Sequence, residues 1–516
     1  MHLMTSIVTH INRYVLHLCI TCLCVLTFPG TYSQNITFSE LDDHDNPKMA
    51  YEIIGRFDHH YLVYKSEKRK HFICIYDESM KWVESKALDI IPDKIIDLDI
   101  VKSKDRFHIV WEEQHGCVIS CYAATFNPDA ALMYQPVLLD TTEISWTSEK
   151  KIYTTVYSDD KSKLLIYKRY VKKGDMVWSA KTYNNEFQQM DSIRYVAPFN
   201  KRKNYMTDAV VDNAGNIYWV IQNRNSNYQP YEELSSYIHR SGVQGFESFK
   251  LALNGKRLLQ ASLKVDNYHA RCLVTSGFSE GTKYREDGVF LGMTDSVSAN
   301  ISQSDFLRYS DSIKTVLKRA GSGSSYDEAD MKPLSLIVKK NGSLVLIEED
   351  AYDETISALN PFNNGSIMGN NGMYSPYDYY YSPYQSSFYN RNFGRNNKRY
   401  NCNNINVIQI DSSLQNHWLR VISKSQYAED DESFLSFMMM IQSKEIHFVY
   451  IGNQNQRHIL THVGIASNGD VNRYPTLRGS GNEYDFLPRY GKQTGANTFV
   501  VPYIYNNRLG FAKVEF

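Results

Sequence analysis

The sequence predicts an all-β chain folded as a single closed β-propeller of about eight four-stranded blades, with seven as the alternative. Three observations carry this expectation. A short apolar motif recurs eight times, its copies lie roughly fifty residues apart, and strand-like segments stand at both ends of the region it spans.

The motif occupies residues 60–65 (HYLVYK), 107–112 (FHIVWE), 163–168 (KLLIYK), 217–222 (IYWVIQ), 270–275 (ARCLVT), 343–348 (SLVLIE), 446–451 (IHFVYI) and 498–503 (TFVVPY). Each copy is too short for a helix and rich in β-branched or aromatic side chains, so each reads as a strand. Five of the seven intervals between their starts run from 47 to 56 residues. The two longer ones, 73 and 103, hold a helix-patterned stretch and a compositionally biased stretch. A period near fifty is that of a four-stranded blade. In the second unit the four strands read as 95–101, 107–112, 117–126 and 133–139. Near-continuous apolar second strands suit positions dry on both faces, as between neighbouring blades. Closure of the ring removes exposed strand edges, and 36–38 is placed to complete the blade that ends with 509–516.

The helical insert is expected at about 303–319, where Phe306, Ile313, Val316 and Leu317 share one face and Gly321 begins the break. It is expected to pack on the outside or an end of the ring, with partner docking as the alternative. From about 359 to 404 Asn, Tyr, Gly and Ser dominate, and eight of the 39 tyrosines fall there. That composition buries no core and predicts a low-complexity disordered loop, or else a stacking-rich one.

Residues 1–33 read as a signal peptide. Arg13 precedes an apolar run of 15 residues from Tyr14 to Phe28, then Pro29-Gly30 and the small Thr31 and Ser33, leaving the propeller as 34–516. The run falls short of the ~20 residues that span a bilayer, so cleavage is favoured over a retained anchor. The protein is therefore expected to be secreted or held in the cell envelope, in the periplasm or on the outer surface. Five cysteines follow the leader, an odd number, and Cys117 and Cys121 are too far apart along a strand for a mutual disulfide. Neither CxxC nor HxxH spacing occurs after the leader, so no metal site and no cofactor is expected. With a net charge of -1 and no basic run longer than Lys68-Arg69-Lys70, a nucleic-acid partner is excluded.

In a propeller, the turns between second and third strands open on the same face as the connections between blades, and such loops commonly carry function. They are short in blades one to three and long in blades four to six, which raises one rim. Candidate binding residues are Tyr228 and Tyr231 on blade four, Tyr284, Arg285 and Glu286 on blade five, and Glu349, Asp350 and Tyr352 on blade six. The acids Glu112-Glu113 and Glu348-Glu349-Asp350 could supply the carboxyl pair of a glycan hydrolase. Neighbours on a strand point to opposite faces, so solvated strand ends are the stronger reading. Asp58-His59-His60 reads as a solvated turn, and Trp111 and Trp219 read as core. A nucleophile elbow of the GxSxG type and an EF-hand loop are both absent. The expected function is a monomeric binding or scaffold protein that engages a protein or glycan through the rim of blades four to six. The alternative is a glycan-active hydrolase or lyase using acids at the propeller mouth, which requires close carboxylates with raised pKa there.

Residues 211–220 (VDNAGNIYWV) and 337–349, with 405–410 and Trp418, resemble uncharacterised secreted β-propeller proteins of bacteria of the Bacteroidota type. The resemblance covers most of the chain after the leader and implies secretion and the propeller fold, but no particular activity. The double glycine of kelch blades, the Trp-Asp pair of WD40 blades and the sialidase SxDxGxTW box are missing.

Overall fold

The computed structural model describes residues 35–42, 45–47, 49–144, 151–227, 229–282, 286–295, 298–317, 331–355, 398–429, 432–454, 457–477 and 484–516. Their strands form eight antiparallel sheets, each with four strands in meander order and some with a short extra piece. Every copy of the sequence motif is the second strand of its sheet, for example Phe107–His115 in blade two and Ile217–Asn223 in blade four.

The apolar runs are continuous because successive residues serve two different interfaces. On blade two, Ile109 and Trp111 pack toward blade one, while Val110 between them packs toward blade three. The buried apolar side chains fall into eight clusters, one for each boundary between adjacent blades. The cluster that joins Leu487, Val500 and Phe511 of blade eight to Tyr51, Tyr61 and Val63 of blade one closes the ring.

Blade eight is assembled from both ends of the described chain. Asn35–Phe38 pairs antiparallel with Arg508–Glu515 as its outermost strand. Ser39 then exchanges two hydrogen bonds with the Phe511 backbone: its N–H donates to the carbonyl and its Oγ accepts from the amide. Lys65 and Asp45, both buried, pair where the chain passes from this strand toward blade one.

Two expectations are corrected. The helix begins at Asp311, because Ile301–Arg308 is the fourth strand of blade five, and is described over Asp311–Leu317, with 318–319 outside the described residues. Phe306, assigned to a helix face, instead packs on Phe278 and Phe290 of the same sheet, with centroids at 5.1 and 5.0 Å. Pairing with Gly288–Asp295 overrode the apparent helical spacing, since that strand would otherwise present an open edge. The biased stretch also ends earlier than 404: Lys398–Ile410 is the third strand of blade six, held on one side by Leu344–Thr355 and on the other by Asn416–Ile422 and Gln426–Glu429. The rest of the biased stretch lies outside the described residues, as do residues 1–34.

Candidate functional site

The upper face of the ring is uneven. In blades one, two, three, seven and eight the second and third strands are joined by two residues. Three of these turns have both central residues at positive φ, namely Lys68-Arg69, Lys173-Gly174 and Asn506-Asn507. This is the type I′ pattern, whose twist matches that of the strands. Blades four, five and six instead use residues 224–232, 280–287 and 356–397. The helix Asp311–Leu317 lies on the connection from blade five to blade six, so it opens on the same face and joins the same arc.

Beneath this rim is a buried polar layer. The Tyr309 hydroxyl lies 2.9 Å from Glu286 Oε1 and 2.8 Å from Glu348 Oε2. Burial pushes the Glu348 carboxyl up to about 7. On the next strand position Glu349 faces the boundary with blade seven, where Lys424 Nζ, between the outer strands of blade six, lies 2.7 Å away and the Ser436 hydroxyl at the start of blade seven donates at 2.7 Å. Asp350 accepts from Asn403 at 3.3 Å, and Asp287 pairs with Lys314 of the helix at 3.1 Å.

Of the residues named from sequence, the structure thus brings Glu286, Glu349 and Asp350 into the foundation of one rim. Glu349 and Asp350 are buried and Glu286 is half-buried. Tyr231 is also buried, bridging to Leu258 of blade five with the Arg224 guanidinium 5.0 Å from its ring centre. Tyr352 is half-buried on the second strand of blade six. Tyr228, Tyr284 and Arg285 lie outside the described residues.

A second cluster lines the upper end of the inner strands and was not singled out from sequence. Lys151 reaches both Asp97 and Asp99 of blade two, and Asp99 also accepts from the Thr155 hydroxyl of blade three. Glu52 of blade one is buried with neither carboxyl oxygen hydrogen-bonded, its nearest paired cation being Lys492 of blade eight at 3.8 Å. Burial, with Asp99 and Asp97 nearby, pushes its carboxyl up to about 8 against the pull of Lys492. Glu112 was flagged from sequence and is also raised to about 8, by burial and by Asp97. It has a framework contact as well: its carboxyl accepts from Ile152 N–H at 2.9 Å and Tyr153 N–H at 3.1 Å, tying blade two to blade three. The one local signal for this cluster was the alternation Asp97-Leu98-Asp99, which puts two acids on one side of a strand.

Asp58-His59-His60 is a turn on the lower face, with Asp58 at φ 45° and the exposed His59 against Glu78. Among the described residues no group of three or more His, Cys, Asp or Glu side chains is arranged to hold a metal ion. No helix among them is long and apolar enough to cross a membrane.

No protein-family model and no curated protein matches the chain. Solved propellers share its fold at low identity. The WD40 domain of SCAP from fission yeast is 8% identical over 94% of this chain and 98% of that one, with a TM-score of 0.38. Polysaccharide lyase Uly1 is 10% identical over 95% and 94%, with a TM-score of 0.39. The β-propeller domain of the Trilobed protease from Pyrococcus furiosus is 8% identical over 82% and 96%, with a TM-score of 0.36. The likeness is one of fold and carries no activity with it.

Proposed function

We propose that this is a secreted or cell-envelope propeller that binds a protein or glycan through the rim of blades four to six. One observation carries the reading: five blades close their upper turns with two residues, while three adjacent blades extend theirs on the same face. Lengthening a turn beyond a tight hairpin costs closure entropy and returns little to the core. Clustering of such loops on one arc therefore favours contact with a ligand over folding as their use. The Tyr- and Asn-rich composition of 359–397 suits an adaptable contact surface.

The test replaces residues 356–397 by Asn-Gly, continuing the pairing of Thr355 with Lys398. Circular dichroism and melting should be unchanged, while capture of envelope proteins or array glycans falls at least about tenfold. Equal capture by both proteins would overturn the proposal. The unbonded, proton-holding Glu52 beside Asp99 favours a second reading, that of a glycan-active enzyme working at the channel mouth. Under that reading Glu52→Gln abolishes glycan turnover and leaves rim binding intact.

A further inference from the structure

We propose that Glu286, Tyr309 and Glu348 form a proton-dependent latch that ties the base of the upper turn of blade five and the helix-bearing connection to the second strand of blade six. This regulation presupposes that the rim is the working face, but the latch can be tested without any ligand.

The inference begins with a count of hydrogens. A phenol has one hydroxyl hydrogen, and Tyr309 cannot donate to both carboxyl groups that touch its oxygen at 2.9 and 2.8 Å. One of the two contacts is therefore made by a protonated carboxylic acid donating to the phenol oxygen. Glu348 is the fully buried member, while Glu286 retains exposure, so the proton is assigned to Glu348. Glu348 then donates to Tyr309, and Tyr309 donates to the Glu286 carboxylate. The raised Glu348 value, about 7, agrees with this assignment.

Three segments meet at this contact. Glu286 lies in 280–287, the long upper turn of blade five; Tyr309 opens the connection that carries the helix; Glu348 lies on the second strand of blade six, which leads into 356–397. Among the described residues the other charged groups nearby are paired. Asp287 holds Lys314 of the helix, Arg308 holds Glu280 of the turn, and Glu349 points to Lys424 on the opposite side of its strand. Across the sheet Glu348 is flanked by Pro333 and Asn406, neither of which is charged, and Lys332 stands opposite Glu349. No described cation pairs with Glu348, so its ionisation sets two carboxylates against one hydroxyl.

The sign follows from linkage. The latched state holds the Glu348 proton up to about pH 7, while an opened state releases it near the ordinary value of 4.5. Opening is therefore least favourable in mild acid. It rises by up to about tenfold per pH unit between those values and levels off above the upper one.

Hydrogen exchange of 280–287 and 309–317 in the full chain, corrected for intrinsic rates and followed from pH 5.5 to 8.5, reads this directly. The wild type should lose protection by about 20-fold or more across the range. Glu348→Gln keeps a neutral donor to Tyr309 and should remain protected, with no pH trend. Tyr309→Phe should exchange at pH 5.5 as the wild type does at pH 8. A wild-type profile without a pH trend, or a trend that survives in Glu348→Gln, would overturn the latch. Should Glu348→Gln fail to fold, wild-type-like protection of Tyr309→Phe at pH 5.5 would overturn it instead. Failure of ligand capture with an intact pH trend would sink the binding reading alone.

Discussion

At the scale of single residues, the upper ends of the second strands act as ties between blades. Glu112 accepts from two amides of blade three, and Arg169 donates to the Met206 carbonyl of blade four at 3.0 Å. Gln222 donates to the Leu259 carbonyl and accepts from Ala261 N–H of blade five, at 2.9 and 2.8 Å. Three chemically different side chains do the same work, and Glu112, expected from sequence at a solvated strand end, is instead buried because the neighbouring blade covers it. At the boundary of blades six and seven Ser436 donates to Glu349, whose charge is met within blade six by Lys424, and Glu349 and Lys424 are both almost fully buried. Lys424→Met leaves a buried carboxylate unpaired and should cost about 3–5 kcal/mol in urea unfolding. The double variant Lys424→Met/Glu349→Leu should recover most of that loss. A single variant as stable as the wild type would show that the pair is dispensable.

At the scale of elements, the four-residue strand Asn35–Phe38 has more effect than its length suggests. Phe38 stacks on Tyr484 at 4.5 Å, meets Tyr503 edge-on at 5.2 Å and covers an edge of blade eight that would otherwise be open. Phe38→Ala should lower stability by about 2 kcal/mol, less than the 3–5 of a fully buried ring because Phe38 stays partly exposed. It should also promote concentration-dependent association through the loosened edge. Unfolding curves and light scattering measure the two effects, and no change in either would show that the strand does not seal the ring.

At the scale of the whole molecule, buried titratable groups bound the pH range of stability from both sides. Burial, followed by the neighbouring charge, lowers His108 to about 4 and His462 to about 3, so both are neutral in the native state. Their contribution is complete above the ordinary histidine value of 6.5 and is lost as pH falls toward those lower values. Glu52 and Glu112, raised to about 8, and Glu348, raised to about 7, act in the other sense. What they contribute is complete below 4.5 and is lost as pH rises toward 7 and 8. Between about pH 4.5 and 6.5 the two sets oppose each other, so stability should change least there, falling below that range as the histidines charge and above it as the carboxyls ionise. Glu52→Gln should flatten the alkaline fall. A urea midpoint that rises from pH 6.5 to 8 would contradict this balance.

Much of the fold was legible along the chain. The eight second strands could be read because their residues alternate between two dry interfaces, and the uneven rim could be read because turn length is a local property. The strand at Ile301–Arg308 was not legible as one, since a few apolar residues satisfy a helical and a strand spacing alike until a neighbouring sheet supplies the hydrogen bonds. By itself the sequence determined the repeat, its period and the strand that closes the ring. Only the tertiary structure decided that Glu52, Asp97, Asp99, Lys151 and Lys492 meet at the channel and that Glu286 and Glu348 share one tyrosine. Burial and electrostatic neighbours, which set where protons reside, belong to contacts between blades and have no counterpart in any single stretch of chain.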